Sequence, residues 1–124
     1  MERKVGLWID HRKAVVVTLT EDKETVEEIK SGIKKHVRFS GENIAGEDTR
    51  DRKFENSLTK YFRKVSHHLE GADSIQIFGP GEARKELEVV LADQGLGSRI
   101  SANEPADKMT NNQIVAKVKT HFNK

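Results

Sequence analysis

Residues 14–19 read Ala-Val-Val-Val-Thr-Leu, an apolar and largely β-branched run with no polar interruption before Thr18. Such a run suits a strand covered on both faces, because a half-exposed strand would alternate with polar residues. This run therefore calls for a sheet with a layer of structure on each side. Upstream, residues 4–10 set Val5, Leu7 and Ile9 against Gly6, Trp8 and Asp10, a period of two. The short polar Asp10-His11-Arg12-Lys13 between them predicts a hairpin. A weaker third strand is expected over 24–31, carrying Val26 and Ile29. Lys34 to Phe39 alternates again and predicts a further strand or sheet edge.

The pattern then changes period. Residues 40–49, Ser-Gly-Glu-Asn-Ile-Ala-Gly-Glu-Asp-Thr, carry no periodicity and predict a loop extending to about 53. Phe54, Leu58, Tyr61, Phe62, Val65 and Leu69 then form one helical apolar stripe, with Gly71 expected to stop the helix. A strand over Ser74–Phe78, a second helix carrying Ala83, Leu87, Val90 and Leu91, and a short strand at 99–102 follow. The last helix is announced by Thr110 and Gln113, the two ends of a capping box, with Met109 placed to staple onto Ile114. The order β-β-β-α-β-α-β-α predicts one α/β domain over 1–124. It is a three-layer mixed sheet, antiparallel hairpins first and crossovers after, of the ribonuclease H-like type.

Composition narrows the chemistry. The absence of cysteine excludes disulfides and thiolate metal sites. With neither a signal-like N-terminus nor a long apolar run, the expectation is a cytoplasmic protein without membrane contact. Net charge is +2, but it is unevenly spread. Between Lys30 and Lys64 ten Lys/Arg face five Asp/Glu, giving +5, and the rest of the chain carries −3. Such a segment can contact phosphate, although a solvated surface carries similar runs.

Candidate sites follow from local chemistry. Gly79-Pro80-Gly81 precedes a helix, where free N–H groups could hold an anion. Yet the third glycine of a dinucleotide loop is missing, Pro80 lacks an N–H, and Glu82 repels phosphate. A structural turn is expected instead. Asp10 and Glu82 could serve a metal-dependent nuclease on such a sheet, but no third carboxylate is evident. His67 and His68 are adjacent and point apart, so no metal site, cofactor or catalytic set is expected. The basic residues Lys34, Lys35, His36, Arg38, Arg50, Arg52 and Lys53 are the candidate RNA contacts, flanking the 40–53 loop. An exposed edge near 34–39 would equally suit a homodimer or another protein partner.

Three segments carry a family resemblance. Lys34-Lys35-His36-Val37-Arg38 resembles the Lys-Lys-His-x-Arg approach to the catalytic loop in the middle domain of eukaryotic and archaeal class I release factors. Tyr61-Phe62-Arg63-Lys64-Val65 is similar to a segment of that domain's long helix, which the ribosome-rescue factor Pelota shares. Gly79-Pro80-Gly81, followed by Lys85-Glu86, is similar to the archaeal Gly-Pro-Gly-x-x-Lys-Glu turn with one additional residue before Lys85. The resemblance implies a translational-machinery fold and an association with rRNA, tRNA or the ribosome. Release activity in that family depends on Gly-Gly-Gln in the loop, and this sequence has none, so the expectation is a non-enzymatic domain.

Overall fold

The computed structural model describes residues 2–32 and 44–122, and over 44–56 the backbone alone. Strands β1 (Lys4–Ile9), β2 (Lys13–Leu19) and β3 (Glu24–Lys30) come first. Helix α1 (Ile44–Leu69), β4 (Ser74–Gly79), α2 (Ala83–Asp93), β5 (Ile100–Pro105) and α3 (Asn111–Phe122) follow. The described strands form one mixed sheet in the order β3-β2-β1-β4-β5. β1 pairs antiparallel with β2 and parallel with β4, which places it at the centre. β3 and β5 close the two edges.

Both faces of the sheet are covered, as the 14–19 run requires. Val5, Leu7, Ile9, Ala14 and Val16 point to one side, where Phe62, Val65 and Leu69 of α1 and Leu87 and Leu91 of α2 complete the core. Trp8, Val15, Val17 and Phe78 point to the other, under Ile114 and Val118 of α3. The alternation within β1 therefore divides two buried layers. At Gly6 a Cβ would collide with the Val118 side chain, so this glycine sets how closely α3 seats on the sheet.

The entrance to α3 forms as its sequence predicts. The Thr110 N–H donates to Gln113 Oε1 at 2.8 Å and the Gln113 N–H to Thr110 Oγ1 at 3.2 Å. Met109 packs against the cluster containing Ile114. Replacing Thr110 with alanine removes one of these bonds and is expected to cost about 1 kcal/mol in denaturant unfolding. An unchanged midpoint would show that the cap contributes nothing.

Three expectations need correction. Helix α1 begins at Ile44, inside the stretch read as loop to 53. No apolar period marks its first turns, which are mostly polar. Gly71 does not stop α1 through a left-handed conformation, since its φ is not positive. The helix ends at Leu69, two residues before this glycine. The last strand also runs on to Pro105, pairing in parallel with β4 to its end. The strand expected at 34–39 lies outside the described residues.

Candidate nucleic-acid interface

Part of the basic segment lies on α1. Leu58, Tyr61, Phe62, Val65 and Leu69 are buried against the sheet, whereas Lys60, Arg63 and Lys64 are exposed. At 3.6 residues per turn, positions 52 and 53 share the outer side with Lys60, Arg63 and Lys64. The acidic positions 47, 48, 51 and 55 fall on other sides of the cylinder. Position 50 joins the flank of that side, since 50, 53, 57, 60 and 64 follow one another at intervals of three and four residues. Lys34, Lys35, His36 and Arg38 lie outside the described residues, as do the side chains of Arg50, Arg52 and Lys53. Lys60, Arg63 and Lys64 complete a row that the loop-centred candidate set omits. From position 52 to position 64 the row extends about 18 Å along the helix, enough to follow a few phosphates.

The carboxylates proposed for metal chemistry are engaged otherwise. Asp10 Oδ1 accepts the N–H groups of Arg12 and Lys13, both at 2.8 Å, and so shapes the β1–β2 hairpin. Glu82 precedes α2 and its carboxylate lies 3.8 Å from Lys85 Nζ. Among the described residues no group of three or more His, Cys, Asp or Glu is placed to hold a metal ion. Tyr61 anchors the same hairpin, its hydroxyl donating to the Asp10 carbonyl at 2.9 Å. Burial first, and the Asp10 charge second, raise its phenol far above the ordinary range, so it remains a neutral donor.

The Gly-Pro-Gly turn has a steric explanation. Gly79 has φ 154°, and a Cβ there would collide with the backbone carbonyl oxygen of Ile9. Gly81 has φ 68° and opens the way into α2. His11, which follows β1, has its Nε2 2.6 Å from Glu86 Oε1 in the first turn of α2. Nothing in the local sequence announces that pair, because its members are 75 residues apart.

No family model and no curated protein matches the sequence. Solved structures match the fold. The Thermoplasma acidophilum Pelota protein superposes with a TM-score of 0.64 at 21% identity, over 96% of this chain and 32% of that one. The archaeal translation termination factor aRF1 gives a TM-score of 0.62 at 14% identity, over 94% and 34%. The chain shares its fold with Pelota and aRF1. Archaeoglobus fulgidus Pelota agrees, with a TM-score of 0.61 at 14% identity over 96% of this chain. The chain spans about a third of the length of each of these proteins. On this Pelota-type fold, Tyr61 to Val65 lies within α1 and Gly79 to Gly81 links β4 to α2. Among the described residues no helix is long and apolar enough to cross a membrane.

Proposed function

We propose that this chain is a non-enzymatic domain that binds the phosphate backbone of RNA, on the ribosome or in tRNA, through its basic loop and α1. The observation that carries the reading is the row on the outer side of α1. Lys60, Arg63 and Lys64 are exposed there, in register with positions 52 and 53 and opposite the buried stripe. A backbone can approach that side without disturbing the core. Lys34, Lys35, His36 and Arg38 precede the helix in sequence and extend the same positive segment. The fold shared with a translation termination factor supports the same partner class. Contacts of this kind give affinity with little sequence readout and a steep salt dependence.

Ribosome co-sedimentation at stepped salt tests the reading. The protein is expected in the ribosomal pellet at low salt and in the supernatant as salt rises. Absence from the pellet at low salt, together with no salt-dependent binding to structured RNA, would overturn it.

A further inference from the structure

Helices α1 and α2 lie side by side on one face of the sheet, with a groove of about 450 Å³ between them. Its walls include Leu58 and Phe62 of α1 and Glu86, Val89 and Val90 of α2. Ala83, Leu87 and Leu91 of α2 are buried against the sheet, whereas Val89 is 62% exposed. An apolar side chain therefore protrudes at the rim of a largely apolar groove.

Charge divides the two rims. Glu82, Glu86, Val89 and Asp93 follow one another at intervals of four, three and four residues, which places them on one side of α2 and its cap. That side faces α1, since Glu86 and Val89 line the groove. Lys85 lies 3.8 Å from Glu82, His11 rests against Glu86, and Arg84 turns away to Asn103 of β5. The opposite rim, on α1, carries Lys60 and Arg63, both exposed. Leu58 shares the groove with Glu86, and Ser66 Oγ lies 2.9 Å from Gln94 Oε1, so the two helices run the same way. Lys60 and Arg63 thus stand level with the stretch from Glu86 to Asp93. Among the described residues Lys60, Arg63 and Asp93 belong to no ion pair.

We propose that this face binds a second copy of the chain about a twofold axis running along the groove. Such an axis lays α1 of each copy on α2 of the other. Lys60 and Arg63 of one copy meet Glu86 and Asp93 of the other, twice over, and each Val89 enters the facing groove. An axis across the helices would set α1 on α1 and bring cation against cation, which like-charge repulsion opposes. The result is an apolar centre with charged pairs around it, as protein–protein interfaces are built. Lys60 and Arg63 also belong to the row assigned to RNA, so the dimer and the RNA complex exclude one another. The dimer itself does not rest on that assignment.

Sedimentation velocity of the full chain without RNA, from about 5 to about 500 μM at low salt, tests it. A concentration-dependent dimer is expected, weakening as salt rises. Val89→Ser, at an exposed position, is expected to weaken it at least about fivefold. Glu86→Lys with Asp93→Lys, and separately Lys60→Glu with Arg63→Glu, are each expected to weaken it at least about tenfold while circular dichroism stays unchanged. Mixed in equal amounts, these two charge variants are expected to regain affinity to within about threefold of the native chain, because each rim then meets its opposite. A chain that remains monomeric up to about 500 μM overturns the proposal. So does a dimer unchanged by Val89→Ser or by either charge variant, since it would use another face. A mixture of the charge variants that stays monomeric overturns it as well.

Discussion

Changing Lys60, Arg63 and Lys64 together to glutamate is expected to weaken binding to ribosomes or structured RNA by at least about 100-fold at physiological salt. Each phosphate contact releases close to one counterion, so removing three lowers the slope of log affinity against log salt by about 2 to 3. All three residues are exposed on α1, while the stripe that anchors the helix consists of Leu58, Tyr61, Phe62, Val65 and Leu69. The variant should therefore keep its circular dichroism and lose only affinity. A control with the same change in net charge, at Lys23, Lys85 and Lys108, separates a local row from a general electrostatic effect. If the control loses as much affinity as the α1 variant, or if the α1 variant keeps its salt slope, the row on α1 is not the interface.

Replacing Gly79 with alanine is expected to destabilise the fold by about 3 kcal/mol, a large part of the roughly 5–15 kcal/mol of a typical domain. Two costs combine. A non-glycine residue is strained at φ 154°, and its Cβ would run into the Ile9 carbonyl oxygen. The obstacle is backbone of the central strand, so no side-chain rotation relieves it. Shifting β4 away would loosen the β1–β4 pairing and the layers packed on it. Gly81→Ala is the informative comparison. Gly81 also has a positive φ, 68°, but a Cβ there would meet nothing within 4 Å. Only the conformational cost of about 1 kcal/mol applies. Thermal or urea unfolding of both variants measures the difference, and equal losses would show that contact with Ile9 carries no weight.

These two predictions rest on features of different legibility. The glycine pattern at 79–81 and the missing third glycine already argue for a turn rather than a phosphate cradle. Only the pairing of β4 with β1 reveals that the first glycine lies against Ile9. In the same way, the positive segment is countable in sequence. Its grouping into a row depends on α1 starting at Ile44 rather than near Phe54. Helical register then joins 50, 52 and 53 to 60, 63 and 64. Pattern reading missed this start because it detects amphipathic helices by their apolar period, and the first turns of α1 are mostly polar.

By itself the sequence determined the order of the described elements, the layers on both faces of the sheet and the cap of α3. Alternation in β1, the β-branched run of β2, the stripe of α1 and the box at Thr110 and Gln113 are all local patterns. Each is set by side chains a few positions apart, and local geometry alone translates it into structure. Tertiary structure decided which distant groups meet. Tyr61 reaches the Asp10 carbonyl, His11 meets Glu86, and Ser101 meets His121 only because of the order β3-β2-β1-β4-β5 and the helices packed on it. Strand order is fixed by the total burial and pairing of the whole chain, and no spacing within one segment encodes it.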